Sequence, residues 1–199
     1  MFKKYNSVIK GSSKKKIFID TTFLEKYNTN KVVIFSHGFK GFKDWGPFNK
    51  IAEYFASQGF VFVKFNFSYN GTSIEKPCDF VDLEAFGNNN FCKELDDLGL
   101  VICWVRNQFS NHEITLLGHS RGGAISILKS SEDHYISDVV SWACPSDFLN
   151  KLPTYEKAQK WKETNVAYVY NGRTKQNMPL YYQFYQNCVA NKDRLNIKK

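Results

Sequence analysis

The segment from Leu116 to Gly123 constrains the fold of this chain more than any other feature. Its apolar start is typical of a buried strand, and it continues through the pattern Gly-x-Ser-x-Gly into residues typical of a helix. In a sharp strand-to-helix turn, Gly118 and Gly122 lie against neighbouring backbone, where a Cβ atom would collide. The pattern therefore predicts a strained turn that lifts the side chain of Ser120 above the edge of a β-sheet.

Strand-like and helix-like segments alternate on both sides of this turn. An N-terminal hairpin is predicted up to about residue 30, with its turn at residues 11–14. Later strands are predicted at 32–35, 61–67, 114–117 and 139–142, and helices at 48–55, 91–109 and 122–129. This alternation predicts an α/β fold with a doubly wound, mostly parallel sheet.

Residues 145–187 break the alternation and are rich in aromatic side chains, with a hairpin turn predicted at Asn171-Gly172. We expect them to form a small cap after the sixth strand, over the carboxyl edge of the sheet. The cap would be an insertion in a single domain of residues 1–199. An ordinary packing subdomain is an equally good interpretation, because aromatic side chains most often belong to a core.

The charge distribution, the cysteines and the glycine spacing predict no nucleic-acid partner, metal or cofactor. The chain of 199 residues carries a formal net charge of +8, yet its lysines are scattered and no nucleic-acid-binding module is recognisable. We interpret these lysines, Lys40 and Lys43 among them, as a solvated surface and expect no nucleic-acid partner. The five cysteines lack metal-ligand spacing and Gly38-x-x-Gly41 lacks dinucleotide-binding spacing, so neither a metal nor a cofactor is expected. Short apolar runs predict a cytoplasmic protein without a membrane partner.

Two short motifs at the ends of predicted strands carry a resemblance to a known superfamily. His37-Gly38-Phe39 follows the third strand, and Gly118-His119-Ser120-Arg121-Gly122 follows the fifth. With these motifs in this context, the chain from about residue 31 to 187 resembles the α/β-hydrolase superfamily. Within it, the chain is most similar to small serine esterases of the cinnamoyl-esterase and dienelactone-hydrolase-like type.

The resemblance implies a role for each residue of the two motifs. Ser120 is the expected nucleophile, and the backbone N–H groups of Phe39 and Arg121 are the expected oxyanion hole. His37 is expected to fix the oxyanion loop by a hydrogen bond. Three glycines support the loop and the turn: Gly38, Gly118 and Gly122.

A serine nucleophile needs a general base, and the sequence places no histidine well for that role. The side chain of His119 leaves the turn in another direction than that of Ser120. His112 precedes the fifth strand and His134 follows the next helix, so both are expected at the amino-terminal edge of the sheet, out of reach of the serine.

The end of the chain departs from the order usual in the superfamily, in which an acid and then a histidine follow later strands. No histidine follows His134, and Asp147 is expected to be a loop or cap carboxylate. We therefore expect a chain truncated before its acid, its base and its last strands. Truncation would leave the strand at 139–142 at an unprotected sheet edge, which predicts low stability or self-association through that edge.

Two functions follow from these expectations. The leading hypothesis is a serine hydrolase that acts on small-molecule carboxylic esters through an acyl-enzyme at Ser120. The alternative is a non-catalytic, degenerate hydrolase that binds a ligand or a partner in the pocket above the serine. The missing histidine motivates this alternative, and the retained oxyanion features count against it.

Overall fold

A six-stranded sheet forms the centre of the molecule. The computed structural model describes residues 1–26, 29–150 and 152–198. The strands of the sheet are β1 Phe2–Lys10, β2 Lys16–Leu24, β3 Lys31–Ser36, β4 Val61–Asn66, β5 Glu113–His119 and β6 Ile136–Trp142. They lie in the order β1-β2-β4-β3-β5-β6, with β3, β4, β5 and β6 parallel to one another and β1 and β2 forming an antiparallel N-terminal hairpin. The predicted mostly parallel sheet and N-terminal hairpin are confirmed.

Helices cover both faces of this sheet, which confirms the doubly wound arrangement. Successive side chains of a strand point to opposite faces, so that β3 buries Val32 and Ile34 on one side and Val33 and Phe35 on the other. Helix α1 (Phe48–Ser57) packs on Val33 and Phe35, while α3 (Phe91–Gln108) and α4 (Arg121–Glu132) cover the opposite face. A short helix not predicted from the sequence, α2 (Leu83–Gly87), precedes α3.

Residues 145–187 add a separate two-stranded sheet and helices. The elements are α5 Tyr155–Thr164, β7 Val166–Asn171, β8 Gln176–Tyr181 and α6 Gln183–Ala190. Strands β7 and β8 are antiparallel, and the predicted turn at Asn171-Gly172 joins them. The indole N–H of Trp161 donates to the Leu180 carbonyl (2.8 Å), which ties α5 to this hairpin. Neither α5 nor α6 was predicted, because the aromatic residues that anchor them follow no clear period.

The hairpin of β7 and β8 is attached to the carboxyl-end loops of the main sheet. Met178 of β8 is fully buried against three phenylalanines from those loops and α2, namely Phe42, Phe80 and Phe86. Phe184 of α6 packs edge-on against Phe91 at the start of α3 (4.9 Å between ring centroids). Residues 145–187 therefore lie beside the end of β5, where the Gly-x-Ser-x-Gly turn is found.

Strand β6 is at one edge of the sheet, and within the described ranges it pairs only with β5. Self-association through that edge stays a prediction. Among the helices of the described residues, none combines the length and the apolar character that crossing a lipid bilayer requires.

Candidate active site

Ser120 occupies a strained position between strand β5 and helix α4. Its backbone angles are φ 54° and ψ −122°, in a region that residues with a side chain rarely adopt. Such a conformation costs about 1–3 kcal/mol and persists only where the surroundings enforce it. Here the Ser120 N–H donates to the Trp142 carbonyl (2.8 Å) and the Ser120 carbonyl accepts from the Gly123 N–H (3.0 Å). The serine is thus fixed at the carboxyl edge of the sheet, as the motif predicts.

The two glycines of the motif are required by backbone contacts. A Cβ atom on Gly118 would overlap the backbone of Gly122 and Gly123. A Cβ atom on Gly122 would overlap the carbonyl of Ser36 and lie 2.5 Å from that of His37. No L-amino acid with a side chain fits either position without movement of the strands.

The loop that follows β3 lies directly against the serine. A Cβ atom on Gly38 would lie 3.0 Å from the Cβ atom of Ser120. Across the described residues, neither the Phe39 N–H nor the Arg121 N–H has an acceptor in a hydrogen bond. The Arg121 N–H also belongs to the first turn of α4, where the helix dipole favours negative charge.

The side chain of Arg121 contacts Phe39 in the loop after β3 and two residues at the start of α3. Its guanidinium lies 4.1 Å above the ring of Phe39 and 4.8 Å from that of Phe91. Nη1 donates to Oε1 of the buried Glu94 (3.3 Å), which also accepts from the Asn89 amide (2.7 Å). Burial raises the pKa of the Glu94 carboxyl, and the charge of Arg121 opposes that shift. The ion pair fixes the start of α4 against α3, and the contact with the Phe39 ring connects both helices to the loop after β3.

Sequence patterns alone missed Glu94, although a signal was present. The apolar face of α3 includes Phe91, Leu95 and Leu98, and Glu94 lies on that same face, one helical turn after Phe91. An acidic residue among buried apolar positions requires a partner. The identity of that partner, Arg121, depends on the packing of α3 against α4, which no local pattern reveals.

His37 is a buried, neutral residue that fixes the loop. Its Nδ1 lies 2.9 Å from the Gly38 carbonyl, and its Nε2 accepts from the Phe67 N–H (3.4 Å), so that Nδ1 carries the proton. Burial lowers the pKa of His37 from 6.5 to about 4, and the charge of Arg121 adds to this effect. With both ring nitrogens engaged, His37 does not act as a base on Ser120.

His37→Asn is expected to reduce the pH dependence of stability. The unfolded chain takes up a proton near pH 6.5, but the folded chain only near pH 4, so the unfolded state binds more protons between these values. Stability from His37 is therefore fully present above pH 6.5 and falls by about 3 kcal/mol as the pH decreases to 4.

Urea unfolding of wild type and variant at pH 7, 5.5 and 4 measures this effect. As the pH decreases, the free energy of unfolding should fall more steeply for the wild type than for the variant. Glu94 and the other carboxyl groups are the same in both proteins, so their contributions cancel in the difference. Parallel pH profiles would contradict the assignment of His37 as a neutral buried residue.

The other three histidines are either held by ring contacts or lie at the opposite edge of the sheet. The ring of His119 stacks on Trp45 (6.2 Å between centroids, 20° between planes) and contacts Phe48. His112 and His134 lie at the amino ends of β5 and β6, about 20 Å from the serine along a seven-residue strand. In the part of the chain that the structure describes, no hydrogen bond joins an imidazole to Ser120 Oγ.

Two cavities meet at Ser120. The larger, of about 460 Å³, has mainly apolar and aromatic walls, and its lining residues include Phe39, Phe91, Arg121, Asp147, Phe148 and Phe184. The smaller, of about 230 Å³, lies on the other side of the serine and is lined by residues that include Lys40, Trp45, His119, Asn171 and Arg173.

Asp147 lies at the larger cavity as a loop carboxylate. Its Oδ1 accepts from the Leu149 N–H (2.7 Å) and the Asn150 N–H (3.2 Å), and Oδ2 lies 3.8 Å from Lys198 Nζ. It has no imidazole partner among the residues described. Those residues also contain no cluster of three His, Cys, Asp or Glu side chains able to hold a metal ion.

Many solved structures share the fold of this chain. A protein described as DcsB, in complex with its substrate analogue, superimposes with a TM-score of 0.73 at 16% identity and covers 98% of this chain and 77% of that one. The esterase domain of a Rhodothermus marinus protein gives 0.60 at 15% identity, covering 98% and 70%. An alpha-beta serine hydrolase homologue from Coxiella burnetii gives 0.59 at 21% identity, covering 72% and 64%. The present chain thus spans less than two thirds of the Coxiella protein.

Sequence comparison places the chain in a family. No curated protein matches it significantly. A family model of the alpha/beta hydrolase fold matches residues 31–168, which include both the loop after β3 and the turn at Ser120. Because this match covers more than half of the sequence and agrees with the sheet order and the strained serine turn, the chain belongs to the alpha/beta hydrolase family.

Proposed function

We propose that Ser120 is the nucleophile of a serine hydrolase that acts on carboxylic esters of small molecules. One observation carries the proposal: a serine held at φ 54° lines two cavities, next to the loop after β3, and within the described residues the N–H groups of Phe39 and Arg121 have no acceptor. A chemical role for the hydroxyl, which lines both cavities, would explain the energetic cost of the strained turn. The hydrolase family of the chain supports the same interpretation.

In this mechanism, Ser120 Oγ attacks the carbonyl carbon and transfers its proton to a base. The carbonyl π electrons move to the oxygen, which accepts hydrogen bonds from the N–H groups of Phe39 and Arg121. Collapse of the tetrahedral intermediate expels the alcohol, which takes up a proton, and leaves an acyl group on Ser120. Water then hydrolyses the acyl-enzyme. Loss of one oxyanion donor typically lowers the rate by about 10²- to 10³-fold.

The larger cavity favours an apolar part of the substrate. Its walls are mainly apolar and aromatic, and the charge of Arg121, the cation among its described lining residues, is neutralised by Glu94. Residues 145–187 supply Phe148 and Phe184 to this cavity, which supports their role as a cap on the single domain. A small esterase of the cinnamoyl-esterase or dienelactone-hydrolase-like type accords with such a site, and the solved structures of similar fold include an esterase domain.

The described residues bring neither a general base nor an acid–histidine pair to Ser120. His37 and His119 are held by other contacts, and Asp147 has no histidine to orient. We therefore expect this chain alone to acylate slowly, with the oxyanion donors and substrate binding as its main contributions. In serine proteases, these contributions leave about 10³- to 10⁴-fold catalysis over water when triad members are removed.

Acylation of Ser120 by p-nitrophenyl acetate tests the proposal directly. Mass spectrometry of the digested protein should find an acetyl group on the peptide that contains Ser120, and Ser120→Ala should abolish it. Ser130→Ala is the matched control, because Ser130 lies on the same helix and donates only to the Ile127 carbonyl. An acetyl group located only on other residues would refute the nucleophile assignment.

A non-catalytic ligand-binding protein is the second candidate, favoured by the engagement of His37 and His119 in structural contacts. Added imidazole distinguishes the two functions. If the site is built for acyl transfer, free imidazole should replace the missing base and raise the acylation rate of Ser120 by about 10-fold, a modest share of what a positioned general base contributes. The rate for Ser120→Ala gives the background. An unchanged rate at Ser120 would favour the binding protein.

A further inference from the structure

The smaller cavity beside Ser120 has a positive charge that the larger cavity lacks. Its lining includes the cations Lys40 and Arg173, and none of its described lining residues is an Asp or a Glu. In the larger cavity, by contrast, Arg121 is paired with Glu94, and Asp147 is also present. The two sides of the serine therefore differ in charge as well as in size.

Arg173 and Lys40 have no carboxylate partner among the described residues, in contrast to Arg121. The ion pairs of this region connect other groups, and the nearby Asp44 is occupied by Lys43 and Lys64. Arg173 is an exposed residue at the rim of the cavity, and the partial burial of its guanidinium lowers its pKa. With no carboxylate among the described lining residues to neutralise Lys40 and Arg173, the cavity keeps a positive charge that attracts an incoming anion.

Arg173 is nevertheless held in a defined place. Its guanidinium lies over the rings of Phe42 (5.0 Å) and Trp45 (5.5 Å). Its Nη2 donates to the Lys40 carbonyl (3.1 Å), and Lys40 Nζ donates to the Tyr170 carbonyl (3.1 Å). These contacts connect the β7–β8 hairpin to the loop after β3, and they use only part of the five N–H donors of the guanidinium.

Asn171 adds a polar group to the same wall. Its Oδ1 accepts from the backbone N–H of Arg173 (3.2 Å), which fixes the start of the hairpin turn. Its Nδ2 is buried, and the described residues offer it no acceptor. A buried donor without a partner is costly, so an acceptor from a ligand in this cavity would relieve the cost.

We propose that the smaller cavity is an anion subsite that binds a carboxylate or phosphate group of a small organic ligand through Arg173 and Lys40. The proposal rests on the proposed function, since it assigns the substrate an anionic group on one side of the ester bond and an apolar group on the other. A planar guanidinium suits both oxyanions, because two of its N–H groups can donate in parallel.

Ligand binding tests the subsite without any turnover. Isothermal titration calorimetry with phenyl phosphate should show saturable 1:1 binding, and benzyl alcohol, a neutral ligand of similar shape, should bind at least about 10-fold more weakly. Arg173→Gln should weaken phenyl phosphate binding by about 10-fold, the effect of losing a charge-assisted hydrogen bond. Binding should also weaken as the salt concentration rises.

Arg106→Gln is the matched control. Arg106 also lies over an aromatic ring, that of Tyr135 (3.4 Å), but it belongs to α3 and lines neither cavity at the serine. This variant removes the same net charge and should bind phenyl phosphate as the wild type does. Circular dichroism melts of both variants establish that they are folded.

The outcome is independent of the nucleophile assignment, because Ser120→Ala should keep its affinity for phenyl phosphate. Failure of Ser120 acylation with intact, Arg173-dependent binding would refute the hydrolase and leave the subsite. Equal affinity of Arg173→Gln and Arg106→Gln for phenyl phosphate would overturn the subsite, as would equal affinity of the wild type for benzyl alcohol. Inorganic phosphate, titrated in parallel, should bind more weakly than phenyl phosphate if the organic part also occupies the site.

Discussion

Gly122→Ala is expected to destabilise the protein by about 3 kcal/mol or more. The new Cβ atom would lie 2.5 Å from the His37 carbonyl and still closer to that of Ser36, and both carbonyls belong to backbone that cannot rotate away. Ser36 ends β3, which is hydrogen-bonded on both sides, to β4 and to β5. Relief therefore requires α4 to move away from the sheet, and this movement would also displace Ser120 and the Arg121 N–H.

Gly99→Ala provides the matched control for this substitution. Gly99 lies within α3, and the nearest atom to its added Cβ would be Nζ of the flexible Lys129, at 3.4 Å. Alanine is favoured over glycine in a helix by about 1 kcal/mol, so this variant should be as stable as the wild type or more so. In a thermal melt, Gly122→Ala should lose about 6–12 °C, at about 2–4 °C per kcal/mol for a chain of this size. Equal melting temperatures would refute the close approach of α4 to β3.

The strained turn could be predicted because its causes are local in the sequence. Leu116 and Leu117 continue an apolar strand, Ser120 follows at once, and the glycines stand where the backbone contacts require them. The loop after β3 was also predictable, since His37 directly follows an apolar strand that neighbours β5 in the sheet. The main strands and the long helices could be predicted because the spacing of apolar residues along each element is also a local feature of the sequence.

Buried charges could not be predicted in this way, and the interpretation of Lys43 as part of a solvated surface was wrong. Only 8% of its side chain is exposed, and it binds Asp20 and Asp44 at 2.5 Å each. Burial opposes the charge of Lys43, but the hydrogen bonds to both carboxylates outweigh this effect and raise its pKa. Asp20 lies 23 positions earlier in the chain, so no local pattern could have indicated the contact.

The residues around the two cavities show the same limitation. The pairing of Arg121 with Glu94 joins α4 to α3, and Arg173 reaches Lys40 from 133 positions further along the chain. Both contacts depend on the packing of helices and the β7–β8 hairpin around the carboxyl ends of the strands. A sequence pattern is enough to predict the proposed nucleophile and oxyanion donors, but the charges that line the two cavities result from tertiary structure.

Lys64→Met is expected to cost about 3–5 kcal/mol of folding free energy, the usual effect of breaking a buried ion pair from one side. Lys64 lies on β4 with 3% of its side chain exposed, and its Nζ contacts Asp44 and lies 2.9 Å from Asp20. With Lys43, the four residues form a charge-balanced network under the loop that carries Phe39. Methionine would fill the space of the lysine stem but leave the two partly buried carboxylates of Asp20 and Asp44 to share one cation.

Lys31→Met is the matched control, because Lys31 is also a strand lysine in an ion pair, with Glu113 at 3.4 Å, but 45% of its side chain is exposed. Exposed pairs of this kind contribute about 0–1 kcal/mol. Urea unfolding should therefore separate the two variants by at least about 2 kcal/mol.

The double variant Lys64→Met, Asp20→Asn identifies the source of the loss. It removes one charge of each sign and leaves the pair of Lys43 with Asp44. If unbalanced buried charge causes the destabilisation, the double variant should be more stable than Lys64→Met alone, which gives a favourable coupling free energy in the double-mutant cycle. If the free energy lost in the double variant equals the sum of the losses in the two single variants, packing around β4 causes the destabilisation. The network would then have no electrostatic role in holding the loop.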